Sequence, residues 1–279
     1  MKRKREIMKN PVTKADICRT LSELKIETGD TVLVHSSLKS MGYVEGGAET
    51  VIEALLTSVG DSGTVVMPTF TQKDFVNAYD TWHIDKPSDT GYITEIFRKY
   101  PGSIRSNQAT HSVAANGKQA KYITENHTAY GRRFGVFGDT PFCASSPWQK
   151  LYDMNAKIVF IGVSMKYNTS KHLTEYILVE KALNGIKSDS DRLKMRAMLR
   201  DHRHFDDKRF LWPFLNGEQH QKLCLKNGLV LHTQCGSAQF LCCKIKDTLD
   251  LLKKDVTANP KQWLSPEMIS WFDECKALS

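Results

Sequence analysis

His172 and Glu175 stand three residues apart in Asn168-Thr169-Ser170-Lys171-His172-Leu173-Thr174-Glu175, shortly after the most uniformly apolar run of the chain, Lys157-Ile158-Val159-Phe160-Ile161-Gly162-Val163. On a helix, residues three apart share a face. A carboxylate beside an imidazole fixes its tautomer and stabilises the imidazolium formed when the ring takes a proton, which is the chemistry of a general base. Taken alone, a His-x-x-Glu pair is more often a capping or core histidine. Zinc is a third use, but further ligands at the usual spacing are missing.

Other residues could hold an anion. His35-Ser36-Ser37-Leu38-Lys39-Ser40 follows an apolar run and precedes a helical pattern, so its N–H groups and hydroxyls could face a phosphate, with Lys39 as counter-charge. It has neither P-loop nor dinucleotide-fold glycines, and an ordinary serine-rich turn is the rival reading. Arg105-Ser106 and Ser112-Val113-Ala114 repeat the combination of a cation and hydroxyls beside a short strand. An open strand edge there could pair with an extended amide such as pantetheine. His202-Arg203-His204-Phe205-Asp206-Asp207 suggests a metal site, yet in so charged a stretch a solvated face is expected. Nothing adjacent in sequence lowers the pKa of Cys143, so it reads as structural.

These residues need elements to place them. Thr13 caps a helical pattern carrying Ile17, Leu21 and Leu24, and Asp30–His35 is a short apolar strand. A helix follows through Val51, Ile52 and Leu55, then a second strand at Gly63–Pro68. This alternation predicts an α/β fold with parallel pairing. Residues 71–92 read as a long surface excursion, and Gly91–Arg98 as a helix. His111–Ala115 reads as a strand. The glycines and aromatics of 128–143 suggest a mobile lid. A hairpin is expected around Gly236, followed by a helix over Lys246–Lys253 and a short tail.

The 279 residues, 41% hydrophobic and 25% charged, suffice for one sizeable core. No window approaches the roughly 20 apolar residues of a membrane span, and Met1-Lys2-Arg3-Lys4-Arg5 leads into polar residues, so a cytoplasmic protein without a membrane partner is expected. Half of the net charge of +8 comes from Lys2, Arg3, Lys4, Arg5 and Lys9 set against Glu6. A basic tail over 1–12 ahead of one domain over 13–279, with no nucleic-acid partner, accounts for it. The seven cysteines are odd in number and lack a C-x-x-C pair, as expected of reduced, buried thiols.

In order along the chain, the motifs resemble the aminoglycoside 3-N-acetyltransferase family over residues 14–250. The resemblance is carried by Val34-His35-Ser36-Ser37-Leu38 with Gly42 and Gly46-Gly47, then Gly63-Thr64-Val65-Val66-Met67-Pro68, and Gly91 with Glu95 and Arg98. It continues through Pro101-Gly102, Arg105-Ser106, His111–Gly117, Ser146-Pro147-Trp148, Gly162-Val163, Thr169–Glu175 and Gly236-Ser237-Ala238. Two departures stand out: Asn107-Gln108-Ala109 replaces the family's His-Pro, and Lys171 stands where an apolar residue is common.

The resemblance implies an α/β/α sandwich around a central mixed, largely parallel sheet. It implies acetyl-CoA as cosubstrate, no metal, and acylation of an amine of an amino sugar by a monomer or homodimer. His172 would act as base with Glu175 beside it. CoA would be held by His35, Ser36, Ser37, Leu38, Lys39 and Ser40 together with Arg105, Ser106, Ser112, Val113 and Ala114. A polycationic aminoglycoside needs acidic surroundings. Arg132, Arg133, Lys166 and Lys171 near the expected site would instead suit an anionic acceptor such as a nucleotide-linked amino sugar. A silent CoA-binding protein is the third class, disfavoured by the presence of both His172 and Glu175.

Overall fold

The computed structural model describes residues 11–71, 73, 75–200 and 211–279. The His202–Asp207 cluster lies outside the described residues. Seven strands form one sheet: β1 (Thr31–Ser36), β2 (Thr64–Pro68), β3 (Ile104–Arg105), β4 (Val113–Gly117), β5 (Lys157–Ile161), β6 (Leu231–Cys235) and β7 (Ala238–Lys244), in the order β3-β4-β2-β1-β5-β7-β6. Only β2, β1 and β5 run parallel; β3 and β4 on one side and β7 and β6 on the other pair antiparallel. The sheet is mixed as expected but less parallel than expected. The 71–112 segment returns the chain antiparallel to β2, and the β6–β7 hairpin folds back along β5.

Strand side chains alternate between two faces, and each face has its own core. Val32, Val34, Val159 and Ile161 meet α1 (Lys14–Glu23), α2 (Gly47–Val59) and α3 (Tyr92–Phe97) through Ile17, Leu21, Val51, Leu55 and Phe97. Leu33, Val66, Ile158 and Phe160 face the second layer. That layer contains α4 (Ala120–Thr124), α5 (Pro147–Asp153), α6 (Lys171–Gly185) and α7 (Asp189–Met198), then α8 (Gly217–Lys226), α9 (Ile245–Ala258), α10 (Pro260–Trp263) and α11 (Pro266–Ala277). The result is an α/β/α sandwich.

Four local expectations change. Val12, assigned to the tail, is buried, and its N–H donates to Tyr43 O. The 128–143 segment is no loose lid, because Val136, Phe137 and Phe142 are core residues. The expected short tail after Lys253 is helical: α9 runs on to Ala258, and α11 buries Met268, Trp271 and Cys275. Finally, β4 is not an open edge, since it pairs with β2 on one side and β3 on the other.

The expected helix at Thr13 is present with a full capping box to Asp16. All seven cysteines are free, six of them buried and Cys18 half-buried. Among the described residues no helix is long and apolar enough to cross a membrane.

Candidate active site

The parallel strands end together, and β5 leads through a tight connection into α6, which places His172 in the first turn of that helix. The connection is organised by Asn168, whose side-chain oxygen accepts hydrogen bonds from both the N–H and the hydroxyl of Ser170, at 3.1 and 2.5 Å. Ser170 occupies the N-cap position without a side-chain bond to the helix.

His172 Nδ1 lies 2.7 Å from Glu175 Oε2, as their spacing on one helical face predicts. Glu175 has no solvent exposure and also accepts from Trp212 Nε1–H at 3.1 Å and from the Leu215 N–H at 2.9 Å. Burial alone would raise its pKa. The charges of His172 and Lys171 and these hydrogen bonds outweigh that and hold the carboxyl below its usual range. With Nδ1–H directed at the carboxylate, Nε2 keeps the lone pair. Burial lowers the pKa of His172; Glu175 opposes the shift and Lys171 adds to it. Lys171 Nζ lies 3.1 Å from Nε2 and 3.8 Å from Glu175 Oε1.

Two cavities meet at this ring. The first, about 400 Å³, is lined by His35 and Ser36 at the end of β1, Pro68 at the end of β2, Asp89, Thr90 and Thr94, and then by Lys166, Asn168, Thr169, Lys171 and His172. Three buried polar atoms on it have no partner: His35 Nε2, Ser36 Oγ and Asn168 Nδ2. A buried polar atom left unbonded costs on the order of 1–3 kcal/mol, so these atoms call for a polar guest. His35 stacks on Phe160 with centroids 5.4 Å apart, and burial depresses its pKa to about 3, so its ring is neutral. The second cavity is aromatic, formed by Phe70, Phe75, His111, Phe137 and Phe214, and shares Phe70, Thr169 and His172 with the first.

Of the residues singled out in the sequence, His35, Ser36, His172 and Glu175 come together here. Lys166 and Lys171 line the same cavity, and the other residues expected to hold CoA lie elsewhere. Ser37 N–H donates to Ile161 O, Leu38 packs against the α1–α3 core, and Lys39 is exposed. Ser40 donates to Ser37 O and Gly162 O, both at 3.0 Å. The expected helix dipole is not at this loop either, because the 3₁₀ turn Leu38–Met41 separates it from α2.

Arg105 pins the 71–92 excursion: it donates to Ile84 O at 2.8 Å, to Lys86 O and Thr69 O, and its guanidinium lies 4.7 Å above the Trp82 ring. Ser112 donates to Thr69 O. Ser106 accepts from Val113 N–H and bonds His127 Nδ1 at 2.9 Å. Val113 and Ala114 lie inside the sheet, so the proposed strand pairing with pantetheine has no free edge there. Arg133 is tied to Glu180, Gln149 and the Phe142 carbonyl, leaving Lys166 and Lys171 as the cations that line the first cavity.

Several contributors escape a reading of the sequence. Trp212 and Leu215 reach Glu175 from about forty positions away, and the one local signal is the apolar island Leu211-Trp212-Pro213-Phe214-Leu215 after a charged run. His111 is ringed by Phe70, Phe75, Phe137 and Phe142, and burial lowers its pKa well below the ordinary value. Among the described residues no group of three His, Cys, Asp or Glu side chains could hold a metal ion.

A buried imidazole–carboxylate pair opening on a cavity at the ends of parallel strands is an arrangement able to take up and return a proton. The sequence model of the aminoglycoside 3-N-acetyltransferase family matches residues 33–257, and the chain belongs to this family of acyltransferases.

The SPbeta prophage-derived aminoglycoside N(3')-acetyltransferase-like protein YokD of Bacillus subtilis is 35% identical over 196 residues, 62% of this chain and 69% of that one. Aminoglycoside N(3)-acetyltransferase VII of Streptomyces paromomycinus is 30% identical over 59% of this chain and 60% of its own length. In fold, the crystal structure of aminoglycoside acetyltransferase AAC(3)-IVa matches with a TM-score of 0.69 at 20% identity, covering 98% of this chain and 100% of that one. AAC-IIIb, solved as a binary complex with CoASH, matches with a TM-score of 0.64 at 18% identity, over 91% and 98% of the two chains.

Proposed function

We propose that this chain is an acetyl-CoA-dependent N-acetyltransferase acting on an amine of an aminoglycoside or related amino sugar, with His172 as general base and Glu175 as its orienting partner. The observation that carries the reading is the position of His172, whose Nε2 lone pair stands where a cavity with three unpartnered polar atoms meets a second, aromatic cavity. The names of the relatives and the CoASH-bound neighbour support the substrate classes.

An ammonium has no lone pair. It must first lose one proton to solvent; as the neutral nitrogen attacks a thioester carbonyl a second proton passes from it to Nε2, and Glu175 then stabilises the imidazolium. His172 returns the proton to the departing thiolate. Direct transfer between two bound substrates needs no enzyme cysteine. The amides of pantetheine would satisfy His35 Nε2, Ser36 Oγ and Asn168 Nδ2, a donor and acceptor mixture that suits that chain.

A second reading concerns the acceptor. Lys171 lies 3.1 Å from His172 Nε2, where the amine must come, and a cation there favours an anionic amine such as a nucleotide-linked amino sugar over a polycation. Thiol release from acetyl-CoA, followed with kanamycin-like amines and with nucleotide amino sugars, separates the two readings. His172→Ala should lower the rate by about 10²–10⁴-fold with either acceptor. Near-wild-type turnover by that variant removes His172 as the base. Thiol release at the hydrolysis background with both acceptors leaves only CoA binding.

A further inference from the structure

We propose that Lys171 is itself an acyl acceptor: with acetyl-CoA bound and no amine substrate present, its Nζ takes the acyl group and the enzyme becomes Nε-acetylated at this residue. The proposal rests on the acyl-transfer reading above. The geometry behind it is independent of any external acceptor.

His172 has one nitrogen free to take a proton, because Nδ1 is bonded to Glu175 at 2.7 Å. The Lys171 amine lies against the ring, 3.1 Å from Nε2 and 3.4 Å from Nδ1. An acceptor amine awaiting deprotonation must come to the same ring, so its seat borders on Lys171. Lys171 and His172 line one cavity, the one that also carries the unpartnered polar atoms, so an acyl donor held there lies within reach of both. The Lys171 side chain is only 10% exposed, and its ion partner is Glu175 at 3.8 Å, a distance that leaves the ammonium loosely paired. Burial lowers its pKa, with Glu175 opposing, which makes the neutral, nucleophilic amine easier to reach.

The chemistry balances without any further reagent. Lys171 reacts as the neutral amine, its ammonium proton lost to solvent: the nitrogen attacks the thioester carbonyl, one of its two protons passes to His172 Nε2, the C–S bond breaks, and the thiolate takes that proton from the imidazolium. The products are an amide at Lys171 and free CoA thiol. An amide cannot pass the acyl group on to an amine under these conditions, so the product is a stalled enzyme. Its neutral side chain covers the base and no longer places a positive charge beside it. An amine substrate bound in the seat would displace Lys171 and protect the enzyme.

The test uses the full chain with acetyl-CoA alone, followed by peptide mass mapping, with acceptor-dependent thiol release measured in parallel. Lys171 should gain one acetyl group at least about 100-fold faster than exposed lysines such as Lys39 and Lys226, the scale of general-base assistance. His172→Ala should bring it down to their rate. In Lys171→Arg, which keeps the cation, acceptor-free thiol release should fall from one equivalent per chain to the hydrolysis background.

The proposal is overturned if Lys171 is acetylated no faster than Lys39, or if the one-equivalent release persists in Lys171→Arg. Unmodified Lys171 beside active acceptor turnover removes self-acylation and leaves the acyl-transfer reading standing. Absence of both kinds of thiol release removes the two together.

Discussion

Glu175 keeps a full negative charge without touching solvent because three N–H donors converge on its two oxygens. An amide in its place would present a donor to some of those donors and remove the stabilisation of a charged His172. Glu175→Gln should therefore lower kcat/KM by about 10²–10⁴-fold with a much smaller change in KM for acetyl-CoA, measured by thiol release. The pH profile follows from the direction of the His172 shift. Burial, the largest effect, favours the neutral ring, so the proposed base is unprotonated at pH 7. Protonation removes activity, so kcat/KM should rise with pH through an acid limb below the ordinary value of 6.5 and level off above it. A limb at or above 6.5 contradicts this account.

At the scale of elements, the 131–143 segment and α6 are locked together through Tyr176. Its hydroxyl accepts from Phe137 N–H at 2.9 Å and donates to Gly138 O at 3.1 Å, which sets Phe137 against His172. A Cβ on Gly135 would fall inside the Tyr176 ring, and the ring is held by both bonds. Gly135→Ala should cost about 1–3 kcal/mol by overpacking and lower activity through Phe137. Urea unfolding and kcat measured on the same preparation check both effects.

This lock was invisible in the sequence, where the glycines and aromatics of the segment resemble those of a loose loop. The elements that could be read were those whose cause is local: the capping box at Thr13, the apolar runs of β1 and β5, and the His172–Glu175 spacing. The β4 edge was misread because β3 is two residues long, too short for any periodic pattern. The terminal helix did carry local signals, in the Ser265-Pro266 start and the spacing of Met268, Trp271 and Cys275. Of the candidate site, only the His172–Glu175 pair was legible. Trp212, Leu215 and the aromatic ring around His111 are brought in by tertiary packing alone.

Across the whole molecule, several histidines are buried and neutral. Burial sets His35 and His127 at about 3 and His220 at about 4, against 6.5 in an unfolded chain. Below pH 6.5 the unfolded chain therefore binds protons that the folded one refuses. Stability conferred by these groups is complete above 6.5 and is lost as pH falls toward 3. Each group contributes a slope of about 1.4 kcal/mol per pH unit in that window. Between pH 6.5 and 5, above the range where carboxylates titrate, the melting temperature should already fall. A flat profile there would mean that the rings are protonated in the fold.

The seven unpaired thiols give the molecule a built-in chronometer. Burial pushes Cys224 and Cys242 to about 12 and Cys275 to about 11, so in the native state they neither ionise nor meet solvent. A thiol-alkylating reagent should label Cys18 rapidly and the six buried cysteines only as fast as the fold opens around them. Cys224 and Cys243 in the α6–α11 layer and Cys235 and Cys242 in the α1–α3 layer would then time the two faces of the sheet separately. Equal labelling rates would mean that both layers come apart as one unit; unequal rates would identify the face that yields first.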